Sequence, residues 1–263
     1  MSHVLRDLSG KTAVVSGAGR NIGRAIVLEF AAKGADVVIN VRSNTTQAES
    51  VAAEARAFGV DALIVVGDIS EDSTIAEIGQ RVADAGRSVD ITVSNAAVRP
   101  VQSFFDLPLA DWQRILDTQL TTSFKLAKAF VPGMVEKKWG RIIHITGPDA
   151  FLGLTHRAHN VAAKAGLRGL TKSLAIELGP FGITVNDVAP GNIRSEQDEA
   201  SHPVVGGASG GLGDRAAAVI RIPVGRQGEP EDVAFACGWL ASPRASFYTG
   251  TVMCCFGGQW NPG

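Results

Sequence analysis

Short apolar runs recur along this chain, separated by segments with helical spacing. The strand-like runs lie at 11–16 (KTAVVS), 35–41 (ADVVINV), 61–66 (DALIVV), 89–94 (VDITVS), 141–146 (RIIHIT), 182–188 (GITVNDV) and 251–256 (TVMCCF). They are apolar almost throughout instead of alternating, as parallel strands are when both faces of the sheet are covered. Helical patterns fall near 21–33, 45–58, 72–85, 111–136, 160–179 and 230–241. This alternation predicts βαβ units. The expected fold class is α/β, a doubly wound sheet of about seven parallel strands flanked by helices. No linker, charge block or internal repeat interrupts the pattern, so residues 1–263 are expected to form a single domain. One stretch departs from it: 192–222 carries five glycines in nine residues from Gly206. That stretch reads as a flexible substrate lid beyond the carboxyl edge of the sheet.

The first run opens into a turn containing Gly17, Gly19, Arg20, Asn21, Ile22 and Gly23, with the glycines spaced G-x-G-x-x-x-G. An apolar strand precedes this turn and an amphipathic helix follows. In that setting glycines let backbone N–H groups and a helix N-terminus approach a pyrophosphate, as in a Rossmann-type dinucleotide site. A site for NAD usually places an acidic residue at the end of the second strand, to hold the ribose 2′-hydroxyl. Here that place holds Val41, followed by Arg42 and Ser43. A cation and a hydroxyl suit a 2′-phosphate, and Arg20 adds a second positive charge. NADP(H) is therefore expected ahead of NAD(H).

Composition narrows the partners. The chain has 263 residues, with 25 Lys+Arg against 26 Asp+Glu, and 45% apolar residues. A near-neutral chain lacks the basic surface that nucleic acid or an anionic membrane would select. The three cysteines, Cys237, Cys254 and Cys255, follow no metal spacing and read as buried reduced thiols, the adjacent pair facing opposite ways on a strand. The first residues carry charges where a signal peptide needs an apolar core, and no apolar run is long enough to span a bilayer. The expectation is a cytoplasmic protein without a metal site, acting on a small molecule.

Taken together, the residues resemble the short-chain dehydrogenases/reductases of the 3-oxoacyl-acyl-carrier-protein reductase type, over about residues 8–260. The resemblance is carried by the glycine loop Ser16 to Gly23, Gly67-Asp68-Ile69, Ser94-Asn95-Ala96-Ala97, Lys164-Ala165-Gly166, Gly182-Ile183-Thr184-Val185-Asn186, Ala189-Pro190-Gly191 and Gly225-Arg226-Gln227-Gly228-Glu229-Pro230. It implies that Asp68, with Ile69, meets the adenine and that Asn95, Ala96 and Ala97 line the cofactor. It implies further that the segment from Pro190 and Gly191 through Ile193 to Ser195 grips the nicotinamide carboxamide, and that Lys164 holds the nicotinamide ribose. It also implies a homotetramer, paired through the helices at 111–136 and 160–179 and through the C-terminal strand.

At the catalytic end the resemblance fails. Family members reduce carbonyls with an Asn, a Ser, a Tyr and a Lys. Their counterparts here are Gln119, Gly147, Asn160 and Lys164, so only the lysine is kept. An amide cannot ionise and is no general acid, and a glycine has no side chain to orient an oxyanion. The chain's one tyrosine, Tyr248, lies far along in a C-terminal turn. Candidate substitutes are His156, which shares a face with Asn160 if the helix reaches that far, and Asp149, two residues past Gly147. His159 is turned about 100° from Asn160, His144 reads as core, and Thr146 has the wrong parity to replace the serine. Val98, Phe104, Phe151, Leu152 and Leu154 are candidates to line a partly apolar substrate pocket. Three functions stay open: an NADP(H)-dependent oxidoreductase with non-standard proton delivery, a non-redox isomerase or lyase on the same scaffold, and an inactive cofactor-binding protein.

Overall fold

In the computed structural model, which describes residues 5–195 and 222–260, the seven apolar runs become seven parallel strands of one sheet. They are β1 (Thr12–Val15), β2 (Asp36–Val41), β3 (Ala62–Val66), β4 (Ile91–Ser94), β5 (Gly140–Ile145), β6 (Ile183–Pro190) and β7 (Val252–Cys255). Their spatial order is β3-β2-β1-β4-β5-β6-β7. The order reverses between β1 and β4, where crossovers leave the sheet in opposite directions and a crevice opens at the carboxyl ends.

Helices α1 (Asn21–Ala32), α2 (Thr45–Arg56) and α7 (Pro230–Ala241) cover one face of the sheet; α3 (Asp72–Asp84), α5 (Thr122–Lys137) and α6 (Ala158–Leu178) cover the other. The first layer is built on Ile26, Phe30, Val51, Val233 and Leu240, the second on Ile75, Ile78, Leu126, Phe130 and Leu178. Strands β1, β5 and β6 are buried at every position. Burial on both faces is the reason these runs are continuous instead of alternating.

The structure refines two sequence expectations. The helix foreseen over 111–136 is two helices, α4 (Leu109–Leu116) and α5, joined by a π-helical turn at Asp117–Thr121. In this turn Thr118 and Ser123 hydroxyls donate to carbonyls one turn back, and Thr122 Oγ1 donates to Asp117 O. Such competition for carbonyls loosens the regular ladder, and π turns recur at functional sites. The second refinement concerns cysteine. All three are free and Cys237 is buried, but Cys254 is exposed and Cys255 half-buried, because β7 is the edge strand of the sheet. The proposed lid at 192–222 lies mostly outside the described residues. Its flanks meet each other, with Arg194 N donating to Gly228 O at 2.7 Å and Gln227 Nε2 to Asn192 Oδ1 at 2.8 Å.

Candidate active site

The cofactor end is assembled where β1 and β4 part. Ser16 Oγ accepts from the backbone N–H groups of both Asn95 and Ala96 at 3.0 Å, and Asn95 Nδ2 donates to Ser16 O and Gly17 O. These bonds tie the glycine loop to the end of β4. A Cβ at Gly17, which has φ +63°, would sit 2.9 Å from Ala96 Cα; one at Gly23 would sit 2.2 Å from Gly17 O. Glycine is required at both places by contact, apart from any ligand. The loop feeds α1, whose Arg20 N-cap supplies no side-chain cap and whose first turn holds no acidic residue. That is the electrostatic condition for an anion at a helix N-terminus.

The end of β2 also fits a phosphorylated ribose. Val41 is buried against Gly19, so Arg42 and Ser43 are the first exposed residues after the strand. The Ser70 N–H and hydroxyl, with the Arg42 charge behind them, hold the Asp68 carboxyl below its usual range. Asp68 Oδ1 is occupied by Ser70, and Ile69 is buried. At the end of β6, Gly191 N donates to Cys255 O, and Ile193 bridges to Gly228, which ties the run after β6 to the segment before α7.

At the substrate end, α6 packs closely on the π turn, since a Cβ at Gly166 would lie 2.7 Å from Leu120 Cδ2. This approach brings Gln119 and Asn160 together. Gln119 Nε2 donates to Val98 O at 2.9 Å and to Asn160 Oδ1 at 2.8 Å; Asn160 Nδ2 donates to Pro100 O at 3.4 Å. The two carbonyls fix both amide orientations, because each must receive an N–H. Gln119 Oε1 is then left buried with no partner among the described residues. Lys164, one turn after Asn160 and buried, donates from Nζ to Ile145 O at 2.7 Å. Burial first, then the Arg99 charge, pull its pKa down to about 7, against the opposing charges of Asp149 and Asp187.

Other candidates fare differently. Helix α6 begins at Ala158, and His156 precedes it with φ +59°, so the shared helical face that would have aligned it with Asn160 does not form. His156 instead accepts the Gln102 N–H at its backbone carbonyl. His159 is buried, and desolvation lowers its pKa. Asp149 is half-buried in the short turn after Gly147. Gly147 itself has φ +148°, and the nearest atom to a Cβ built there is Pro190 O at 3.8 Å. Thr146 is buried with its hydroxyl on Val188 O. Phe104 is 74% exposed, too open to line a closed pocket. His144 is core, as expected, but belongs to a network that sequence reading did not foresee: His144 Nδ1 lies 2.7 Å from Thr171 Oγ1, which donates to Asp187 Oδ1 at 2.6 Å. The pairing depends on β5–β6 register, of which the chain carries no local sign.

Comparison with known proteins decides the family. Residues 17–259 match the family model described as enoyl-(acyl carrier protein) reductase. A 3-oxoacyl-acyl-carrier-protein reductase of Pseudomonas aeruginosa is 35% identical over 254 residues, covering 97% of this chain and 99% of the relative. The chain belongs to the short-chain dehydrogenase/reductase family. A second reductase of that name, from Vibrio cholerae, is 34% identical over 97% of this chain and 99% of its own. Among solved structures, a short-chain dehydrogenase/reductase from Mycobacterium marinum superposes with TM-score 0.85 at 34% identity, covering 98% of both chains. A protein from Beutenbergia cavernae, proposed to be an NAD(P)-dependent gluconate 5-dehydrogenase and solved with NADP at low occupancy, gives TM-score 0.85 at 33% identity over 97% of this chain and 99% of that one. As a member of this oxidoreductase family the chain has the expected sheet and crevice. No described helix is long and apolar enough to cross a membrane.

Proposed function

We propose that this protein is an NADP(H)-binding oxidoreductase in which the tyrosine and serine of the family's catalytic set are replaced by Asn160 and Gly147. The observation that carries the reading is the amide pair. Asn160 and Gln119 are hydrogen-bonded to each other and to the Val98 and Pro100 carbonyls, so neither is poised to hand a proton to substrate. Both cofactor and scaffold are nonetheless provided for. Gly17, Gly19 and Gly23 with the α1 N-terminus would hold the pyrophosphate, Arg42, Ser43 and Arg20 the 2′-phosphate, Asp68 and Ile69 the adenine. Asn95, Ala96, Ala97 and the run from Pro190 to Ser195 would line the nicotinamide half, with Lys164 at its ribose. The nicotinamide, when bound, supplies hydride.

The residues' own part is to orient and to exclude water. Lys164 is desolvated and anchored on Ile145 O, which fixes its ammonium beside the crevice. With the acid position silent, the substrate should need little protonation, as an iminium or activated alkene does. The test is NADPH oxidation against a substrate panel. One-to-one oxidation with an iminium or activated alkene, and negligible oxidation with simple ketones, supports the reading. Brisk ketone reduction sinks it. A non-redox isomerase or lyase is the second reading, favoured by Lys164, whose pKa of about 7 would let it act as a base at neutral pH. Turnover without change in NADPH absorbance would select it.

The assembly we propose is a homotetramer, since Phe124 on α5 and Ile176 on α6 are 51% and 81% exposed and large apolar side chains tend to be covered at interfaces. Three free thiols support residence in a reducing cytoplasm.

A further inference from the structure

The loop after β4 is strapped to the start of α6 by three bonds and to the π turn by a fourth. Gln119 Nε2 holds Val98 O and Asn160 Nδ2 holds Pro100 O. Gln102 N donates to His156 O at 2.9 Å, and Arg157 Nη1 donates to Arg99 O at 3.3 Å. The strap therefore seats the Arg157 guanidinium on the backbone of Arg99, whose own side chain is exposed, and both charges act close to Lys164 or to each other. Among the described residues no carboxylate lies within 4.0 Å of either guanidinium, although seven guanidinium–carboxylate contacts of that kind form elsewhere among them. Asp149 acts on Arg157 and on Lys164 only at longer range.

Arg157 is half-buried, and burial lowers its pKa while the neighbouring Arg99 charge lowers it further. Arg99 acts on Lys164 in the same direction. Arg99 thus acts on both Arg157 and Lys164, and among the described residues Asp149 is the carboxylate that acts on both of them in the opposite sense. A partly desolvated guanidinium without a carboxylate partner, as at Arg157, is costly, and an incoming anion offsets that desolvation together with the repulsion from exposed Arg99.

We propose that Arg99 and Arg157 form an anion-binding wall of the substrate crevice, and that the substrate is a small molecule bearing a carboxylate. A guanidinium presents a planar fork that matches a carboxylate, which favours that group over a neutral carbonyl compound of equal size. The inference rests on the crevice beside Lys164 being the substrate site, as read above, and it replaces the partly apolar ligand expected from sequence by an amphipathic one.

The probes are acetoacetate and its neutral isostere acetoacetamide, titrated into the free protein and into the NADP⁺-saturated protein by ligand-observed NMR. With the oxidised cofactor neither probe can be turned over, so binding is read alone. Acetoacetate should bind at least about tenfold more tightly than acetoacetamide, the ratio expected of one charge-assisted contact. Salt should weaken acetoacetate only. Arg99→Gln and Arg157→Gln should each weaken acetoacetate about tenfold and leave acetoacetamide within about twofold. Arg157→Lys should recover part of the loss, which a purely structural role of the strap would not predict. Equal, salt-independent binding of the two probes overturns the proposal, as does an equal loss for both in the glutamine variants. Inorganic phosphate displacing acetoacetate at lower concentration than acetate does would overturn the carboxylate assignment. Failure of NADP⁺ to bind would strike the cofactor reading instead, and the free-protein titration would still decide the anion preference.

Discussion

Installing the family's acid is the most direct test of the site. In the double variant Asn160→Tyr with Gly147→Ser, the first change removes the bonds from Asn160 to Gln119 and to Pro100 O. At about 0.5–1.5 kcal/mol net per bond, this costs ~1–3 kcal/mol. The second change meets open space, with Pro190 O the nearest atom at 3.8 Å, so its cost is conformational. At φ +148° an L side chain is strained by ~1–3 kcal/mol unless the turn rearranges. Together the changes remove roughly 2–6 kcal/mol from a total of order 5–15, so the variant should fold with a Tm lowered by about 5–20 °C. Against that cost stands the chemistry. Lys164 follows Asn160 by one turn of α6, where it would lower the pKa of an installed phenol, and a positioned general acid is worth ~10²–10⁴ in rate. NADPH-dependent reduction of an acetoacetyl thioester should rise from background towards that range, with Gly147→Ala as the control that shares the strain and gains nothing. A folded variant that binds NADPH, shows the foreseen Tm loss and still reduces nothing would refute the assignment of Asn160 to the acid position. An unchanged Tm in Gly147→Ser would refute the strain argument.

Further outcomes follow from single observations. Calorimetry should find NADP(H) bound more tightly than NAD(H), and Arg42→Asp should invert the order, since a carboxylate repels the 2′-phosphate and accepts from a ribose hydroxyl; unaltered preference would remove Arg42 from the site. Burial pulls the Lys164 pKa down to about 7 from the ordinary 10.5 of a lysine, so between those values the unfolded chain binds more protons and wild-type stability gains with rising pH. Lys164→Met should therefore raise Tm more, relative to wild type, at pH ~6 than at pH ~9, and an equal difference at both would mean the lysine is not desolvated. Light scattering should report a tetramer that Ile176→Asp breaks into smaller species, because a buried carboxylate without a partner is costly at an interface; a monomeric wild type would contradict this.

Much of the architecture was legible along the chain. Seven continuous apolar runs became seven parallel strands because burial on both faces leaves a sequence signature that needs no knowledge of neighbours. The glycine loop was readable in part, since Gly23 answers a local steric demand against Gly17 O, while Gly17 answers one from Ala96 across the sheet. That Arg42 directly follows β2 was likewise read from the end of the apolar run. What the chain could not show was contact across elements. The π turn depends on hydroxyls competing for carbonyls within a helix whose apolar spacing looks regular. The Gln119–Asn160 pair joins residues 41 apart and exists because α6 can close on the π turn at Gly166. The four-residue spacing aligns His156 with Asn160 only if both are helical, and a left-handed His156 before the first turn of α6 removes that alignment. The buried His144–Thr171–Asp187 network needed the β5–β6 register and the seat of α6 above it. Periodicity records which face of an element is buried. The partner a polar group finds there is set by packing between elements distant in sequence, and that was decided only in three dimensions.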